Sequence, residues 1–116
     1  MAYSTEPNLN PFNARDLPMT VEELAEAILA RIRTLLLHVR KHCLTCRLNG
    51  WLPSLYTRDA ISAFLSGLVD LAADTLPRHA LHAIECEALG VMHEARFLMR
   101  GTRDAYVNAL TPRREA

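Results

Sequence analysis

No stretch of the sequence approaches the roughly 20 consecutive apolar residues that a bilayer-spanning helix requires, and the first residues lack the basic and hydrophobic regions of a secretory signal. A cytoplasmic protein without a membrane partner is therefore expected. Glycine is scarce: Gly50, Gly67, Gly90 and Gly101 stand isolated, so no glycine-rich loop exists to cradle a nucleotide phosphate. Three cysteines, an odd number, do not make a disulfide framework and fit a reducing compartment. Ser54, Ser62 and Ser66 have no nucleophile elbow around them, and Glu85, Glu87 and Glu94 have the spacing of a solvated helical face. Catalysis is accordingly not expected, and neither is a cofactor. Net charge is zero over the 116 residues, so bulk electrostatics favours neither nucleic acid nor an anionic surface.

What the chain has in quantity is leucine and alanine, with half of all residues hydrophobic and only 6% aromatic. Both residues are strong helix formers, and the composition suits helices packed on helices. Thr20 followed by Glu23 is a capping box, the signal for a helix start. Val21, Ala25, Ile28, Ile32, Leu35 and Val39 then recur at steps of four and three, widened by Leu24, Leu29, Leu36 and Leu37. Asn49-Gly50 supplies the stop. Thr57 is the expected cap of a second helix reaching about Leu76, with Ile61, Phe64, Leu65, Leu68, Leu71 and Ala72 on its apolar face and Gly67 marking a close crossing. Pro77, at a first helical position, opens a third, in which Leu81, Ile84, Ala88, Val91, Ala95 and Leu98 keep the helical period. Gly101-Thr102 either starts a short fourth helix or is run through, and Pro112 stops the helix in either case.

The expected fold is thus all-α, with three long helices and a short fourth as the alternative. Residues 20–112 form one domain, preceded by an extended arm at 1–19 (Pro7, Pro11, Pro18) and followed by a tail at 113–116. Between the first two helices, Trp51, Leu52, Leu55 and Tyr56 make an apolar loop, read as a plug over the core with an interface anchor as the alternative. Helices of ~40 Å with wide apolar faces have surface to spare, so a homodimer that completes a bundle is expected.

Charge is blocked along the chain. Residues 28–58 carry six bases and no acid, and residues 59–94 carry six acids and one base, as if the two blocks face each other. Three chemical readings follow from the remaining patterns. Cys43 and Cys46, with His82 and Cys86, have helical and CxxC spacings that suit a Cys/His zinc site, although no second clean ligand pair accompanies them. The basic stretch from Arg31 to Arg58 suggests a DNA-binding regulator, against which stand the neutral total charge and the long apolar loop after the first helix. Met92, Arg96, Phe97, Met99 and Arg100 combine adaptable apolar side chains with cations, the composition of a protein-binding surface. The last reading is preferred, and nucleic acid is not the expected partner.

In size, helical make-up and expected dimerisation the chain resembles the small all-helical bacterial antiactivators of the QslA type, quorum-sensing regulators that clamp a transcription activator. Phage inhibitors of bacterial defence systems share that build. The resemblance covers the architecture of the whole chain and implies a class of function, a non-catalytic regulator that inhibits or sequesters a protein partner. It assigns no individual residue.

Overall fold

A computed structural model describes residues 19–54 and 56–111, which form three helices. The expected arm, apart from Met19, and the tail lie outside the described residues, as does Pro112. Helix α1 spans Val21–Asn49, α2 Arg58–Thr75 and α3 Arg78–Leu110, with no strand among the described residues.

Each boundary has a local cause. Thr20 Oγ1 accepts from the Glu23 N–H at 3.0 Å while Glu23 Oε1 accepts from the Thr20 N–H at 2.9 Å, the reciprocal capping box. Gly50 ends α1 in the left-handed region (φ 68°), where a side chain would strain the backbone. Thr57 caps α2 through a hydrogen bond from the Ala60 N–H. Leu76 and Thr111, each preceding a proline in sequence, are extended, because the proline ring excludes the helical conformation from the residue before it. Pro77 is the cap residue of α3 rather than its first helical residue. Gly101 and Thr102 lie within an unbroken 33-residue α3, so no fourth helix forms.

The chain runs up, down and up, so α1 and α3 are parallel, with α2 returning between them in sequence. Arg33 Nε donates to Glu87 Oε2 at 3.2 Å, and one heptad on Arg40 Nη2 donates to Glu94 Oε2. Both pairs are separated by 54 residues in sequence, and they join the basic and acidic blocks. A third step of seven brings Arg47 level with Gly101. The Arg47 guanidinium lies where a Cβ on Gly101 would come within 3.1 Å of Nη2, and its Nε donates to Thr102 Oγ1 at 3.3 Å. Half-exposed pairs contribute little stability individually. Their constant offset nevertheless specifies one register for the seam.

Between the helices lies one core. Ile28, Ile32, Leu35, Val39 and Cys43 of α1 meet Ile61, Leu65 and Ala72 of α2 and Ile84, Ala88, Val91 and Ala95 of α3. Ile32, Ile61, Leu65 and Ile84 are among the largest fully buried side chains, each contributing about 1.5–3 kcal/mol from burial. Buried Thr102 satisfies its hydroxyl by donating to the Leu98 carbonyl at 2.8 Å. Helix α3 packs against both other helices, which touch each other least.

Three expectations change. Gly67 marks no crossing, since a Cβ there would meet nothing within 4 Å. Trp51 and Leu52 do not plug the core: Trp51 is 57% exposed, whereas Tyr56 packs on the core and sets its ring edge-on to His42 at 5.5 Å. Leu55 lies outside the described residues. Phe64 and Leu71, placed on the α2 core face by their spacing, are exposed on its flank.

Because nothing opposes a methyl group at either position, Gly67→Ala and Gly90→Ala should each stabilise the protein by about 0.5–1 kcal/mol through helix propensity. Ile84→Ala, which empties the centre of the core, should cost about 2–5 kcal/mol. Urea denaturation of the three variants distinguishes the two directions.

Candidate interaction surfaces

Helix geometry disperses the residues that spacing had grouped. Along α3, Met92 and Met99 stand one heptad apart on the inner side and pack half-buried against the core, where Met99 Sδ accepts a weak hydrogen bond from the Cys43 thiol at 3.6 Å. Phe97 points to the opposite side and is 73% exposed. Arg96 and Arg100 line a cleft with Met99, Arg58 and Arg103. Of the five residues expected to form one binding patch, Arg96, Met99 and Arg100 therefore share a cleft, whereas Met92 packs further along the core and Phe97 stands apart. At 100° per residue, neighbours in sequence are seldom neighbours on a helix surface.

The Cys/His sets are likewise kept apart. Cys43 and Cys46 are buried in the α1 core stripe, and Cys46 Sγ lies 3.6 Å from His42 Nε2. His82 and Cys86 pair at 3.6 Å on an exposed part of α3. In the parallel register, position 86 is level with position 32, about 16 Å along the axis from the level of Cys43. Among the described residues no three His, Cys, Asp or Glu side chains are grouped to hold a metal, and the set Cys43, Cys46, His82 and Cys86 is not brought together. Burial pushes the Cys46 thiol above its ordinary value of 9.0, and the adjoining Cys43 adds in the same direction, since a second thiolate in that space is unfavourable.

Two apolar surfaces are left open. The first is a groove of about 690 Å³ between α1 and α2, lined by Ala30, Leu35 and His38 on one side and Tyr56, Ala60 and Phe64 on the other. It exists because α3 holds both helices while they scarcely touch each other. The second lies on the back of α1, where Leu37, Leu44 and Leu48 are 59%, 56% and 77% exposed. These positions stand about 180° from the core stripe. With Lys41 between them they repeat at steps of four, three and four, the spacing of a helix-pairing seam. The signal was present in the sequence, but Leu37 had been read as a widening of the core stripe. No helix among the described residues is long and apolar enough to cross a membrane, so lipid spanning does not account for the exposed leucines.

Cys86 is exposed whereas Cys43 and Cys46 are buried, so a disulfide reagent added to the folded protein should modify about one thiol per chain quickly and the other two only at the rate of unfolding. Well below pH 9.0 the Cys46 thiol is protonated in both folded and unfolded chains, and its contribution to stability is complete. Above that value the unfolded chain ionises first, so stability should fall as pH rises towards the elevated folded value. Measured by urea unfolding, the loss between about pH 8 and pH 10 should be smaller in Cys46→Ala than in the parent. Comparison with protein families, curated proteins and solved structures found no match, which leaves the chain's own surfaces as the guide to its function.

Proposed function

We propose that this chain is a non-catalytic regulatory protein that inhibits or sequesters a protein partner, such as a transcription activator, by pairing a helix of that partner with the back of α1. The observation that carries the reading is the exposed seam of Leu37, Leu44 and Leu48 on the side of α1 facing away from the core. A helix that is apolar on two opposite sides has one more packing face than its own fold uses. The partner segment that fits is an amphipathic helix with leucine-type residues at heptad spacing and an acidic residue among them, because Lys41 lies within the seam.

The α1/α2 groove is the proposed seat of a second copy. Its α1 wall includes Arg31 and His38, and its α2 wall is the apolar set Ala60, Ile61 and Phe64. A twofold axis normal to the groove would set the exposed Phe64 of each protomer against the apolar wall of the other. Cytoplasmic action as a homodimer is part of the same proposal.

Light scattering should give twice the chain mass for the parent protein and the chain mass for Phe64→Glu, whose side chain is on the surface and whose helicity should be unchanged. Leu44→Glu/Leu48→Glu should stay dimeric and folded. A host protein retained in fixed stoichiometry on the immobilised parent should be lost from this double variant. The reading fails if the double variant keeps every protein that the parent keeps, or if the retained protein has no helix competent to compete as an isolated peptide.

A further inference from the structure

The structure also holds a site of a different chemical kind. Arg96, Arg100 and Arg103 follow one another at steps of four and three, so they share one flank of α3. The antiparallel return of α2 sets Arg58, its first residue, against that flank, and the four side chains line a single cleft of about 260 Å³. Tyr56 and Pro53 close it on the loop side.

We infer that this arginine cleft binds a compact phosphate-class oxyanion carrying at least two phosphoryl groups, such as a diphosphate or the polyphosphate end of a nucleotide. Four guanidinium groups around one cleft repel one another unless an anion joins them, and no acidic side chain lines it. Among the described residues, carboxylates pair with Arg33 and Arg40, and none pairs with these four. The sequence neighbours Asp59 and Asp104 line no part of the cleft. The chain as a whole is neutral, so the concentration of positive charge is local and does not reflect a generally basic protein. Arginine replaces lysine almost throughout this chain, twelve to one, so the choice of side chain carries no weight; the convergence does. Its consequence is still chemical, because planar guanidinium forks engage two phosphate oxygens at once. The first-turn N–H groups of α2 add their dipole at the same place.

Size and shape select the compact anion. The cleft holds roughly nine water volumes, room for a diphosphate with its oxygens. Arg96 to Arg103 spans only about 10 Å of α3, and with Arg58 they border one short cleft instead of forming the stripe that follows a nucleic-acid backbone or an extended acidic peptide. This inference does not depend on the protein-binding reading, although Tyr56 borders both the cleft and the α1/α2 groove.

Isothermal titration of the full chain with sodium pyrophosphate at constant ionic strength provides the test. Saturable binding at one site per chain is expected, at least tenfold tighter than for orthophosphate. Arg100→Gln and Arg103→Gln, both exposed positions, should each weaken it at least tenfold without changing helicity or melting temperature. Arg78→Gln, an exposed position outside the cleft, should leave it unchanged. The inference is overturned if no saturable binding occurs, or if sulfate binds as tightly as pyrophosphate. It is equally overturned if Arg100→Gln and Arg103→Gln bind like the parent, or if duplex DNA or polyglutamate binds the cleft and pyrophosphate does not displace it.

Discussion

The parallel seam between α1 and α3 sets the terms for everything else in the molecule. Two helices of 29 and 33 residues have many registers in which apolar stripes would meet, since leucine, isoleucine and alanine are largely interchangeable at such a seam. Three arginines at heptad intervals remove that freedom. Two meet glutamates 54 positions further along the chain, and the third lies over Gly101 and bonds to Thr102. The ion pairs are too exposed to be a principal source of stability. They act by penalising slipped registers, in which Arg33 and Arg40 would lose their partners, while the buried isoleucines supply most of the free energy.

From that seam follows the unequal packing of α2. Attached to α3 by only Leu76 and Pro77, α2 folds back along α3 and carries Ile61, Leu65 and Ala72 into the shared core. It closes only partly on α1, and the groove between them remains apolar and open. The same return places Arg58 against the α3 flank that bears Arg96, Arg100 and Arg103. An apolar groove and a cationic cleft are thereby built side by side at the start of α2, with Tyr56 and Ile61 lining both. Compact three-helix packing would have closed the groove.

The apolar surplus is the main functional clue. Leucines exposed to water carry a cost in solubility, and a spacing that repeats over three turns directly opposite the core is not the scatter expected of ordinary surface residues. The partner-binding patch read from the sequence around Met92 and Phe97 was defined by closeness along the chain. Packing turned Met92 and Met99 inwards and left Phe97 isolated on the far side. The Leu37–Leu48 seam was equally visible as a pattern, but a single sequence carries no label saying which of two apolar stripes on one helix faces the core. Packing decides it, through the total area that the neighbouring helices can cover.

By itself the sequence determined the all-α class, the caps at Thr20 and Thr57, the stop at Gly50, the breaks before Pro77 and Pro112, and the main core stripes, because each rests on interactions within a few residues. It also announced that basic and acidic blocks would meet. Only the tertiary structure decided the parallel register of α1 on α3, the continuity of α3 through Gly101, the exposure of Trp51, the separation of the Cys/His sets and the meeting of Arg58 with three arginines 38 to 45 residues away. The physical reason is common to all of these. Local hydrogen bonding and periodicity fix what each segment becomes, whereas the relative placement of segments depends on how three surfaces share one limited core, a property that no single stretch of chain possesses.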